Sequence, residues 1–193
     1  MLRKSFLDGL LTLLQANGIC NLFVMLGESY EPATSDFNNT SELIKYIKGK
    51  YSDYFCIGVA GFLGSSEEKL LQLKEKMEYG ADFIMTQAFF ESILFGNFLE
   101  KCKKVGINIP VIPGIFAFET YEQLNKFIEL CKIKVSSVVI DNLKNEEETD
   151  SPGIEITKNL VQTICNDFKT THFHFFTLNK LARTSNLIKQ LNF

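Results

Sequence analysis

Residues 80–115 read GADFIMTQAFFESILFGNFLEKCKKVGINIPVIPGI. An apolar run closes on Thr86-Gln87, the aromatic pair Phe89-Phe90 follows, and a helical pattern leads to a second apolar run carrying Pro113-Gly114. Strand, crossover helix and strand make one parallel unit. Polar residues and a glycine at the carboxyl ends of such strands stand where a β/α barrel puts its chemistry.

The same alternation extends in both directions. Strands are expected at Cys20–Leu26, Tyr54–Ala60, Phe83–Gln87, Val111–Ile115 and Thr171–Leu178. The first four are almost continuously hydrophobic, as in strands buried on both faces. Helices are expected over about 4–17, 40–50, 66–79, 92–105, 119–132, 153–168 and 180–190. Ser41 before Leu43, Ile44 and Ile47 reads as a capped start to one apolar stripe. The fold class is α/β with a parallel sheet. Residues 135–143 stay open between strand and helix, because VSSVVI has strand composition. The polar stretch NEEETDSPG (145–153) reads as a solvated loop.

With 193 residues, 46% hydrophobic and 22% charged, the chain can fill one core, and nothing in it reads as a linker. A net charge of −3 gives no basic face for nucleic acid. The five cysteines, at 20, 56, 102, 131 and 165, form no C-x-x-C pair and read as reduced cytoplasmic thiols. His172 and His174 alternate on one expected strand, but no third ligand stands near them in sequence, so no metal site is assigned. The N-terminus has the basic start and apolar run of a targeting peptide. However, Asp8 and Gly9 break that run, while Leu2, Phe6, Leu10, Leu13 and Leu14 keep helical spacing, which favours an amphipathic helix ending at Asn17-Gly18. No segment approaches the roughly 20 apolar residues that span a membrane.

The opening stretch, GVAGF (58–62), LKEKMEYGAD (73–82), HFFTLN (174–179) and, more weakly, GICNLFVMLGE (18–28) resemble methylenetetrahydrofolate reductase, in the same order along the chain. The resemblance implies a (β/α)8 barrel, a fold of about 250 residues. It aligns these strands with the fourth to eighth of that barrel and gives residues 135–143 a short helix. The expectation is one domain, 1–193, forming a partial TIM-type barrel with two open sheet edges. An incomplete gene product, an exon-skipped form and a protomer that completes its sheet in a homo- or hetero-oligomer all fit; a rearranged open α/β sheet is the remaining alternative.

By resemblance, FAD takes a hydride from NAD(P)H and passes it to methylenetetrahydrofolate, both substrates using the same flavin face in turn. Leu26, Gly27, Glu28, Ala60, Phe62 and Lys76 fall at the family's flavin positions; Glu28, Gln87, Phe127, Phe176 and Lys180 fall at its folate positions. An amide at Gln87 suits the pterin edge because it donates and accepts together, and Phe127 would pack on the aminobenzoate ring. Several positions depart from the pattern. Leu26 replaces an Arg, Glu28 an Asp, Phe62 and Phe176 a Tyr each, Lys69 an Asp and Lys180 an Arg. The loop after Phe62 is short, and the family's general acid lies before the region matched, so no catalytic residue is assigned. The rival expectation is a non-catalytic paralogue or fragment that binds folate weakly or docks on a partner through its open edge.

Overall fold

The computed structural model describes residues 2–27, 30–31, 34–145 and 151–191. Its elements alternate along the chain. Helix α1 (Lys4–Ala16) leads into β1 (Asn21–Phe23), α2 (Thr40–Tyr51), β2 (Cys56–Gly61), α3 (Glu67–Glu78) and β3 (Phe83–Ala88). Then come α4 (Ser92–Val105), β4 (Val111–Phe116), α5 (Tyr121–Cys131), α6 (Ser137–Asn145), α7 (Pro152–Phe168), β5 (His174–Phe176) and α8 (Leu181–Gln190). The strands are hydrogen-bonded in the order β1-β2-β3-β4-β5. Asn21 registers with Cys56 and Gly114 with His174, both pairs parallel. This is the α/β architecture of a partial (β/α)8 barrel, with five parallel strands.

Two compact units are distinguished: residues 1–85 with 101–111, and residues 86–100 with 112–193. In the first, Asp82 ties the elements together. One of its carboxylate oxygens accepts from the Ile57 backbone N–H at 2.7 Å and from Lys48 Nζ at 2.9 Å. Lys48 also donates to the Phe55 carbonyl at 2.9 Å. Ile44, Phe55, Ile57, Val59 and Ile84 are fully buried there. In the second, Phe116, Phe118, Leu124, Phe127, Val139 and Leu143 form one cluster with Ala88 and Phe90.

Several boundaries differ from the sequence expectation. β1 is three residues long and exposed at Asn21 and Phe23, where a doubly buried strand was expected over 20–26. It ends the strand order, so its outer edge pairs with no other described strand. β5 is likewise limited to His174–Phe176. Residues 137–145 are helical, because Val139 and Leu143, four apart, both enter the phenylalanine cluster. α2 is capped by Asn39, whose side chain accepts from the Glu42 N–H, and not by Ser41. Ser41 is buried and donates to Glu75 at 2.9 Å. The acidic part of the 145–153 loop lies outside the described residues.

Candidate functional site

In the first unit, the loop after β2 and one face of α3 enclose a pocket of about 110 Å³. Ala60 and Phe62 come from the strand end, Ser65 from the loop, and Lys69, Gln72, Leu73 and Lys76 from the helix. The helix forms here because Ser66 caps it, accepting from the Lys69 N–H, and Glu67 and Glu68 favour its positive end. Spacing of three, four and seven then puts Lys69, Gln72, Leu73 and Lys76 on one face. The loop is held closed by Ser65, whose hydroxyl donates to the Phe62 carbonyl at 2.6 Å. Three residues expected at a flavin therefore share one pocket: Ala60, Phe62 and Lys76. The Phe62 ring is 42% exposed, and Lys69 Nζ lies 6.0 Å from its centroid. Burial lowers the pKa of the Lys76 ammonium, the neighbouring Glu75 opposing that shift.

Leu26 and Gly27 follow β1 and are not among the residues lining this pocket. Leu26 is half-buried and Gly27 exposed, with open space where a side chain would stand. Glu28 lies outside the described residues. The lining fits part of a flavin nucleotide: two ammonium groups and an amide suit its phosphate-bearing end, and an exposed aromatic ring suits a ring system. A pocket of about 110 Å³ is small beside the several hundred Å³ usual for a whole ligand.

The second unit carries the residues expected at folate. Thr86 is buried, accepts from the Gly114 N–H at 2.9 Å and donates to the Gln87 carbonyl at 2.8 Å. This fixes the end of β3 and leaves Gln87 exposed, its side chain without a hydrogen bond to any other described residue. Phe127 is 2% exposed, its ring stacked on Phe116 with centroids 3.7 Å apart. Phe176 is half-buried, 6.4 Å from Phe127 between centroids. Phe127 and Phe176 are thus brought together, Phe127 within the buried cluster and Phe176 packed against it; Gln87 and Lys180 are both exposed. Lys180 is exposed at the start of α8, after Leu178 and Asn179, whose φ values are 46° and 60°. A leucine in that left-handed region is unusual and strained. Of the two histidines, His172 contacts Thr171 Oγ1 at 3.0 Å. His174 packs edge-on against Phe176, and burial lowers its pKa. Among the described residues no three groups are placed to hold a metal, and no helix is long and apolar enough to cross a membrane.

Sequence reasoning did not anticipate a polar chain over this cluster. Arg183 donates to Gln123 Oε1 at 2.6 Å, its guanidinium carbon 5.6 Å from the Phe116 centroid. Gln123 in turn donates to Glu119 at 3.1 Å and accepts from the Glu119 N–H. A helix was expected over 119–132, but nothing in its spacing pointed to the distant arginine.

The sequence profile for methylenetetrahydrofolate reductase matches residues 3–192. Methylenetetrahydrofolate reductase 2 of Schizosaccharomyces pombe is 33% identical over 213 residues, covering 96% of this chain and 33% of that protein. A probable methylenetetrahydrofolate reductase (NADH) of Oryza sativa subsp. japonica is 29% identical, covering 91% of this chain and 34% of that protein. The chain thus spans about a third of the length of these relatives. A protein from Clostridium thermocellum, described as binding two copies of 5-methyl-5,6,7,8-tetrahydrofolic acid, shares the fold. Its TM-score is 0.60 at 14% identity, over 87% of this chain and 70% of that one. With a family match that runs almost from end to end, the chain belongs to the methylenetetrahydrofolate reductase family.

Proposed function

We propose that the chain carries cofactor and substrate elements of a flavin-dependent methylenetetrahydrofolate reductase, within a single incomplete catalytic barrel spanning 1–193. The observation that supports this best is the shared pocket of Ala60, Phe62 and Lys76, three positions assigned to flavin from sequence. Bound FAD would supply hydride transfer from NAD(P)H to 5,10-methylenetetrahydrofolate. Phe62 would offer a ring face to the cofactor and Lys76 a positive charge, while Leu26, Gly27 and Glu28 would border it from the end of β1. Gln87 would read the pterin edge by donating and accepting together. Phe127 and Phe176 would form the apolar floor beneath folate, and Lys180 would meet its acidic end. The reductase relatives and the folate-binding structural neighbour support the substrate class.

The test is an absorbance spectrum of the purified chain after incubation with excess FAD, followed by folate titration. A flavin band that co-elutes with folded protein is expected, and Gln87→Ala should weaken folate about tenfold while leaving flavin retention unchanged, as for one lost hydrogen-bonding pair. Folded protein without a flavin band would sink the reductase reading.

A second reading is a non-catalytic member that binds folate weakly or associates through its sheet edge. It draws on β1, where Phe23 is 42% exposed and Met25, just beyond it, 59% exposed. Such a member would show folded protein without flavin, and sedimentation would show association that rises with concentration. In either reading the protein would work in the cytoplasm.

A further inference from the structure

The start of α8 carries two cations. Lys180 stands at the N-cap and Arg183 three residues on, a spacing that brings side chains to one face of a helix. Neither forms an ion pair with another described residue. Lys180 is exposed, whereas Arg183 is half-buried, its guanidinium carbon 5.6 Å from the centroid of Phe116. That ring is stacked on Phe127, which in turn lies 6.4 Å from Phe176. One arm of the guanidinium is held: Nη1 donates to Gln123 Oε1 at 2.6 Å. Gln123 is itself fixed, accepting from the Glu119 N–H at 2.9 Å and donating to the Glu119 carboxylate at 3.1 Å. The guanidinium therefore rests on a neutral amide and a ring, and a half-buried cation without a counterion is costly.

We propose that Arg183 is a substrate-binding residue, which grips one carboxylate at the glutamate end of folate while Lys180 meets the other. A planar fork already fixed by Gln123 and Phe116 keeps its remaining N–H groups for an acceptor with two oxygens, and such paired, charge-assisted bonds are the strong kind. The ammonium of Lys180 is a mobile point charge and suits the second carboxylate. Folate combines an aromatic body with two carboxylates at one end, and here three rings adjoin a cation that has none. The site rests on the folate reading of the second unit and adds to it a residue that neither spacing nor resemblance marked.

The experiment titrates the full chain calorimetrically at low salt with tetrahydrofolate and with its diamide, in which both glutamate carboxylates are carboxamides. Tetrahydrofolate should bind at least about tenfold tighter than the diamide. Arg183→Gln should weaken tetrahydrofolate about tenfold and leave the diamide within about twofold. Arg183→Lys keeps the charge but not the fork, and its affinity should fall between those of the parent and Arg183→Gln. If Arg183→Gln loses the parent circular dichroism spectrum, Arg183→Lys carries the comparison. Equal parent affinities for the two ligands, or unchanged tetrahydrofolate binding in the variants, would overturn the grip and leave the folate reading in place. An equal loss for both ligands in a folded variant would do the same, by making Arg183 a structural residue. A parent that binds neither ligand would end the folate reading and this site with it.

Discussion

Phe127→Ala is expected to lower the unfolding free energy by about 3–5 kcal/mol, read as a fall in the urea midpoint of the second unit. The ring is 2% exposed and lies flat on Phe116, with Leu124, Val139 and Leu143 in the same cluster. Deleting it removes both the transfer free energy of a large side chain and the atoms that would refill the space. Phe127→Leu keeps much of the volume and should cost under about 1.5 kcal/mol. The experiment also separates two roles for this residue. If Phe127→Ala cost under about 1 kcal/mol yet abolished folate binding, the ring would be serving the ligand and not the core. A large loss of stability with no folate present would mean that its first task is structural, and that any contact with substrate is made through the packed cluster.

Gly114→Val is the other large effect, expected at the upper end of the roughly 1–3 kcal/mol typical of overpacking, or above it. A Cβ at Gly114 would stand 2.4 Å from the Thr86 carbonyl oxygen and 2.7 Å from the Phe176 ring. The ring could turn; the carbonyl belongs to the neighbouring strand and cannot. Moving β4 away would also stretch the 2.9 Å bond from the Gly114 N–H to Thr86 Oγ1, which leaves a buried donor short of its partner. Gly27→Ala is the natural control, since a Cβ there meets nothing within 4 Å, and it should stay within about 0.5 kcal/mol of the parent. Thermal or urea melts of the two variants side by side check the contrast. Equal midpoints would mean that β3 and β4 are not packed as closely as described.

Much of this was legible in the sequence because periodicity is a local property. The alternation of apolar runs with helical stripes located each of the described strands, whereas Gln72 was not singled out and Lys69 was read only as a departure from the family pattern. What escaped is what depends on distant neighbours. VSSVVI carries strand composition, yet Val139 and Leu143 turn to the same cluster only if the segment is helical, and burial outweighs a weak preference. β1 reads as a buried strand because the run around it is apolar; its exposure goes with an outer edge that pairs with no other described strand. Ser41 and Asn39 are both good caps, and only the tertiary position of Glu75 explains why Ser41 serves elsewhere. The Arg183–Gln123 bond joins residues 60 apart, beyond any spacing rule. Phe127 was singled out through resemblance, while its burial required coordinates.

The Asp82 carboxylate bears on how the first unit opens. It receives the Ile57 amide hydrogen and the Lys48 ammonium on one oxygen, so β2, the start of β3 and the far end of α2 cannot part without breaking the same junction. That amide proton should then trade with solvent deuterium only when the region unravels cooperatively, not by fraying of a strand end. Ile57, itself fully buried, becomes a natural reporter: its exchange rate measures the free energy of the opening event, and removing the carboxylate should convert slow, cooperative exchange into fast, local exchange.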